Sequence, residues 1–256
     1  MTTQEMLSAF RKAITEYRLI ADGDRIAVGI SGGKDSLVLV TLLAAYQKFS
    51  PEKFSLNAIN IDLGFAETPE KEKQAIADYC QSIGVPYESV KTDIGEILFD
   101  IRKEKNPCSL CSKMRRGALN DKARELGCNK LALGHHKDDL IETFFLSLLY
   151  EGRLSTFAPY SYLSRSDITL IRPMLFLDEK DIAAYAREMP VLHNACPADH
   201  FTQRESMKQY IKGLQKEIPF AKERIFSAIT SPERYNLFDQ YPRYTREKTK
   251  KDETKA

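Results

Sequence analysis

The sequence predicts an α/β fold, a doubly wound parallel sheet with an appended C-terminal helical lobe. Two observations carry this. Short apolar runs bounded by turn residues alternate with helical-period segments from about residue 25 to residue 188, which is the pattern of a parallel sheet with crossover helices. Beyond Pro190 the alternation stops, and charged amphipathic segments follow without further strands.

The elements follow in order. Residues 4–20 place Met6, Phe10, Ile14 and Leu19 at helical spacing with charges between, which reads as an opening helix whose work is packing. After the Asp22-Gly23-Asp24 turn, Arg25–Ile30 is a short apolar strand, followed by Ser31-Gly32-Gly33-Lys34-Asp35-Ser36 and a long apolar helix. A second strand is expected at 54–62, a helix at 69–83 and a third strand near 86–92. Asn106-Pro107-Cys108 interrupts this order before a helix through Arg124. A strand at 130–134, a helix at 138–150, an apolar segment at 168–175 and a helix at 178–188 complete the α/β part. The expected organisation is an N-terminal helix (1–22), a nucleotide-binding domain (23–190), a helical lobe (191–240) and a basic tail (241–256). The tail has no apolar periodicity and reads as disordered.

Composition restricts the function classes. Hydrophobic residues at 43% and charged residues at 29% are ordinary globular values, and a net charge of +2 is too small to mark a general polyanion binder. Any nucleic-acid partner must be met by a local patch. No apolar run approaches the roughly 18 residues that suggest a membrane span, so the expectation is a soluble, cytoplasmic protein with no membrane partner. Five cysteines without an export signal favour thiol or metal chemistry over a disulfide framework.

The segment Ser31–Ser36 lies between a strand and a helix, where backbone N–H groups and the positive helix end form an anion site. It is not the GTPase type of phosphate loop. Only three residues separate Gly29 from Gly33, and Asp35 rather than Ser or Thr follows Lys34. Lys34 is expected to neutralise phosphate charge, with Ser31, Gly32, Gly33 and Ser36 binding the phosphates. Asp62, at the carboxyl end of the second strand, stands where ligands bind in open α/β sheets; an adenosine-site role and a solvated strand end are both open.

Cys108 and Cys111 have C-x-x-C spacing, which lets two thiolates reach one metal or form a redox pair. A thioredoxin-like motif would follow the first strand, and this one does not. Cys196, in Asn194-Ala195-Cys196-Pro197, is the best distant third ligand. A zinc site would add His193 or His200, whereas an iron–sulfur cluster could be held by three cysteines alone. Cys80 and Cys128 lack metal spacing and read as buried small hydrophobes. Gly134-His135-His136-Lys137-Asp138-Asp139 follows a strand and opens a helix, a position where site residues gather in this architecture. Asp138 and Asp139 also suit the first helical turn electrostatically. Glu142 is open between a site residue and a solvent-facing one. Arg115 and Arg116 are candidates for RNA phosphate, ATP or ion pairs. Lys208, Lys212, Lys216, Lys222 and Arg224, diluted by Glu205, Glu217 and Glu223, read as a solvated face.

The hexapeptide 31–36 resembles the PP-loop of the ATP pyrophosphatases, with an adenine nucleotide alpha hydrolase-like fold. Together with Pro107-Cys108-x-x-Cys111, Met114-Arg115-Arg116-Gly117, Leu133-Gly134-His135-His136-Lys137-Asp138-Asp139 and the late Cys196, it resembles the TtcA/TtuA family of tRNA thiolases over roughly residues 20–230. The resemblance implies ATP cleaved between the α and β phosphates, Mg2+ held with help from Asp35, and a [4Fe-4S] cluster on Cys108, Cys111 and Cys196. It implies Lys34, Asp35, His135 and Asp139 as catalytic residues and Gly134 beside ATP, where the position of Asp62 at a strand end also makes it a candidate. The implied partners are tRNA, a sulfur donor such as a cysteine desulfurase, and a second copy of the chain in a homodimer. The cysteines of the TtuA branch's paired zinc fingers are missing, so the TtcA branch, which makes 2-thiocytidine at tRNA position 32, is the closer one. A lysidine-synthetase-like ligase and a zinc-stabilised RNA-binding module are the alternatives.

Overall fold

The structure is a computed structural model that describes residues 2–65, 69–103, 107–192, 196 and 203–237. Helix α1 (Thr3–Tyr17) starts at a reciprocal cap in which the Thr2 hydroxyl accepts from Glu5 N and the Glu5 carboxylate accepts from Thr2 N. It buries Met6, Phe10 and Ile14, the stripe expected from the sequence.

A six-stranded sheet has the order β3-β2-β1-β4-β6-β5, built from β1 (Arg25–Ile30), β2 (Ser55–Asp62), β3 (Tyr87–Lys91), β4 (Lys130–Ala132), β5 (Tyr160–Leu163) and β6 (Ile168–Ile171). All pairs are parallel except β5 with β6. The sheet is the doubly wound parallel one expected, with β5 added as an antiparallel edge strand that the sequence reading did not place. The four residues of β5 alternate between exposed and half-buried, too short a signal to register as a strand. The apolar segment 168–175 stops as a strand at Ile171, where Arg172-Pro173 ends the ladder.

Strand β1 pairs with β2 on one side and β4 on the other. The order in which strands are added therefore reverses at β1, and its C-terminal end is the switch point at which open α/β sheets leave a crevice. Helix α2 (Lys34–Gln47) leaves that crevice and is apolar almost all round, with Leu37–Val40, Leu42 and Leu43 buried on one face of the sheet with α1. The other face packs Ile59, Ile61, Leu98, Leu119, Ala123 and Leu131 beneath α5 (Pro107–Glu125). Cys80 and Cys128 are buried, as expected, and burial pushes the Cys80 thiol up to about 11.

Helix α3 (Glu70–Ser82) connects β2 to β3, α4 (Ile94–Glu96) runs into a π-turn at Ile97–Ile101, and α6 (Lys137–Glu151) follows β4. Helix α7 (Glu179–Tyr185) ends in a 3₁₀ turn at Ala186–Glu188. Helices α8 (Gln203–Glu217) and α9 (Ala221–Thr230) close over α6 through a third apolar cluster of Leu140, Ile141, Leu175, Met207 and Ile211. Among the described residues no helix is long and apolar enough to cross a membrane.

Candidate functional site

The phosphate loop turns directly off β1. Gly32 has φ +82, a left-handed conformation that suits glycine. A Cβ there would also lie 2.3 Å from Leu192 Cδ1 and 3.0 Å from Leu192 Cβ. The Leu192 N–H donates to Gly32 O at 2.9 Å, so the chain leading toward Cys196 is fastened to the loop. Inside the loop, Ser36 Oγ accepts from Ser31 N at 3.1 Å and donates to Gly33 O at 2.8 Å, which fixes its curvature. Gly134 lies so close that a Cβ on it would be 3.0 Å from the Asp35 carbonyl. The β4–α6 loop therefore packs flat against the phosphate loop.

Lys34 Nζ is 3.0 Å from Asp35 Oδ1 and 3.1 Å from Glu179 Oε1. Burial lowers the Lys34 pKa, but these two carboxylates outweigh it and leave the ammonium more basic than usual. Burial raises the Glu179 carboxyl, yet Lys34 and Lys208 outweigh that and hold it at about 2. His136 caps α6: its Nδ1 accepts from Asp139 N at 3.5 Å and its backbone N–H donates to Asp139 Oδ2 at 3.1 Å. Its Nε2 lies 3.4 Å from Asp139 Oδ2 and 3.6 Å from Asp35 Oδ1, so Asp35 and Asp139 converge on one buried imidazole.

The helical lobe reaches into this site, which corrects the reading of its cations as a solvated face. Arg204 Nη1 is 2.9 Å from Asp139 Oδ1, and Lys208 Nζ is 3.2 Å from Glu179 Oε1. Lys222 is buried between Asp138 and Asp178. Lys212, Lys216 and Arg224 do stay exposed. Glu142 is not solvent-facing: it is 2% exposed, and burial pushes its carboxyl up to about 7 against the pull of Lys208 and Arg204.

A cavity of about 360 Å³ lies beside the loop, lined by Cys108, Cys111, Cys196, Arg115, Arg116 and His135, with apolar walls from Leu119, Leu131 and Leu133. The Cys111 thiol is pushed up by burial and by Cys196 and Cys108, with Arg115 acting against them. The C-x-x-C pair and the late cysteine, 85 residues apart at their nearest by sequence number, thus meet in space. Among the described residues no three His, Cys, Asp or Glu side chains converge tightly enough to grip a single metal ion. His193 and His200, the zinc candidates, lie outside the described residues.

The expected site residues therefore separate into two groups. Ser31–Ser36, Gly134 and Asp139 gather at the phosphate loop, whereas His135 turns away into the cysteine cavity with Arg115 and Arg116. Asp62 sits at the end of β2 with Lys73 at 2.8 Å and Gly64 N at 3.1 Å. Sequence reading passed over His136, Glu179, Arg204 and Arg172, and placed Lys208 on a solvated face. His136 lay within the quoted motif, but the others carry no local pattern and acquire meaning only from packing.

A β-strand, a Ser-Gly-Gly-Lys-Asp-Ser turn and a helix at a sheet switch point define a PP-loop nucleotide-binding protein, and the chain matches the PP-loop domain family over residues 3–195. Within that class it belongs to the tRNA-cytidine(32) 2-sulfurtransferase family. It is 40% identical over 232 residues to the tRNA-cytidine(32) 2-sulfurtransferase of Dichelobacter nodosus, covering 89% of this chain and 86% of that protein. It is 38% identical over 222 residues to the one of Cupriavidus necator, covering 85% and 70%. Among solved structures it is similar to the U34-tRNA thiolase NcsA from Methanococcus maripaludis with its [4Fe-4S] cluster, at a TM-score of 0.70 and 26% identity, covering 87% and 76% of the two chains.

Proposed function

We propose that this chain is an ATP-dependent tRNA sulfurtransferase that converts cytidine 32 to 2-thiocytidine in the cytoplasm. One observation carries the reading: adjacent residues of the β4–α6 loop face two sites, His136 toward Asp35 of the phosphate loop and His135 into the three-cysteine cavity. A nucleotide site and a thiol site that share one loop suit a reaction that activates a carbonyl and then delivers sulfur to it.

The chemistry needs both halves. The C2 carbonyl of cytosine is a weak electrophile with a poor leaving group. Its oxygen attacks the α-phosphorus of ATP and pyrophosphate departs; sulfide then adds to C2, and AMP leaves with the original oxygen. Lys34 balances charge on the phosphates and the loop N–H groups orient them; Asp35 with Asp139 would hold Mg2+, which would neutralise further phosphate charge. Anticodon-loop bases are accessible to such a pocket because they can be splayed out of the stack. Arg115 and Arg116 at the cavity rim meet tRNA phosphates.

The thiols fit a cluster better than an ion. Zinc requires its donors to converge on one point, whereas three cysteines spread around a cavity of about 360 Å³ match a cluster that distributes thiolates over several irons. A [4Fe-4S] cluster held by Cys108, Cys111 and Cys196 would supply an open iron to bind sulfide from a donor of the cysteine desulfurase type. The test is anaerobic purification with assays of iron, sulfide and zinc, repeated with each of the three cysteines changed to alanine. Iron–sulfur absorption lost in all three variants, with tRNA-dependent AMP release and thiolated cytidine in the wild type, supports the reading. Stoichiometric zinc that persists after anaerobic reconstitution overturns it in favour of a ligase or a zinc-stabilised RNA binder.

A further inference from the structure

Arg172 is a buried cation outside both ligand sets. It follows β6 and is 8% exposed. Nη1 donates to Ala158 O at 2.7 Å, the guanidinium lies 5.0 Å from the centre of the Phe157 ring, and its backbone N–H donates to Pro159 O at 3.0 Å. Nε donates to His135 Nδ1 at 3.2 Å. Phe157 also covers one side of the His135 ring, with centroids 5.0 Å apart. The imidazole is thus held at one edge and one face, and Nε2 has no hydrogen-bond partner among the described residues.

The consequence is chemical. Arginine Nε carries its hydrogen at any physiological pH, so the atom it addresses must offer a lone pair. Nδ1 is therefore unprotonated, and a neutral imidazole has a single proton left to place. Burial and then Arg172 push the His135 pKa down to about 4, with Arg204 and His136 acting in the same direction and Asp139 against them. The ring is neutral at pH 7, and its proton must sit on Nε2.

We propose that Arg172 is a positioning residue that locks His135 in the Nε2–H tautomer, making His135 a neutral hydrogen-bond donor to a pyrimidine acceptor in the cysteine cavity. This rests on the thiolation reading for the identity of the acceptor, though not for the tautomer. Cytosine adenylated at O2 is a pyrimidinium, and sulfide addition at C2 returns an electron pair to the ring and makes the adjacent ring nitrogen a stronger acceptor. A fixed neutral donor stabilises that build-up of electron density without presenting a base to the site.

The first test is nuclear magnetic resonance of the cluster-free full chain with 15N-imidazole-labelled histidine, its four histidines assigned by single His→Gln changes. His135 is expected to show an unprotonated Nδ1 and a protonated Nε2 without change between pH 5.5 and 8. Arg172→Met should yield mixed tautomers, while Arg172→Lys, which keeps a donor, restores the lock in part. A protonated Nδ1 in the wild type, or an unchanged tautomer in a folded Arg172→Met, overturns the proposal. The second test is thiolation by the cluster-loaded enzyme. His135→Ala should lose roughly 100-fold in kcat, as removal of a charge-stabilising donor does elsewhere. His135→Gln, whose amide N–H falls near Nε2, should stay within about 10-fold of wild type. Equal rates for His135→Ala and wild type overturn the donor role. A locked tautomer in a wild-type chain that transfers no sulfur overturns the thiolation reading, and the pyrimidine acceptor with it.

Discussion

The phosphate loop and the cysteine cavity are neighbours built on opposite electrostatic plans. At the loop nearly every charge has a partner: Lys34 with Asp35 and Glu179, Lys208 with Glu179, Arg204 with Asp139, and Lys222 with Asp138 and Asp178. In the cavity, thiols and two arginines share leucine walls, and the imidazole presents an uncommitted N–H. The loop holds its shape without ligand because its ion pairs fix the side chains. The cavity instead sets thiols and guanidinium groups against apolar walls. Preorganisation therefore takes two forms here, neutralised charge on one side and oriented donors on the other.

The sharpest way to break the comparison is Lys34→Ala. ATP cleavage to AMP should fall by roughly 10² to 10³, while iron–sulfur absorption stays at wild-type level; loss of both would show that the halves are not independent. A pH series addresses Glu142. Its folded pKa of about 7 exceeds the ordinary value of 4.5, so its contribution to stability is complete below pH 4.5 and is lost as pH rises through 7. Denaturant midpoints should show up to about 3 kcal/mol of stability lost across that window, and Glu142→Gln should flatten the slope. The Glu179 shift runs the other way, its contribution present above pH 4.5 and lost toward 2, so the two windows are separable.

Gly32→Ala should lower stability by about 2 kcal/mol, through its positive φ and its collision with Leu192. Leu192→Ala in the same chain should return only the packing share, which thermal melts of the single and double variants would resolve. The smallest effect is expected at Glu179→Gln, about 1 kcal/mol of stability with a raised KM for ATP as Lys34 loses an orienting partner. An unchanged KM would mean that the Lys34–Glu179 contact does not position the lysine for ATP.

The same division explains what was legible in the sequence. Backbone motifs are local, so the strand-turn-helix around residues 25–47 and the C-x-x-C helix could be read directly. The central strands were legible because full burial makes them continuously apolar, whereas β5 was not, since an edge strand half in water alternates too briefly. The ion pairs of the loop were hidden because Arg204 lies 65 residues from Asp139 and Lys208 lies 29 residues from Glu179, and a lysine that neutralises a buried carboxylate looks in sequence like one that faces solvent. The exchange of roles between His135 and His136 was equally hidden. Successive residues of one loop point in different directions, and only packing, with Arg172 from just after β6 set against His135, shows which imidazole lines the cysteine cavity.

The bond between Leu192 and Gly32 sets a length as well as a place. Cys196 follows Leu192 by four residue steps, a span of at most about 14 Å when fully extended. A leash this short makes spacing a heritable property in its own right. Insertions between these two positions would slacken the third thiol's hold on the cavity even with every site residue intact, so natural variation in this segment is expected in side chains far more than in length.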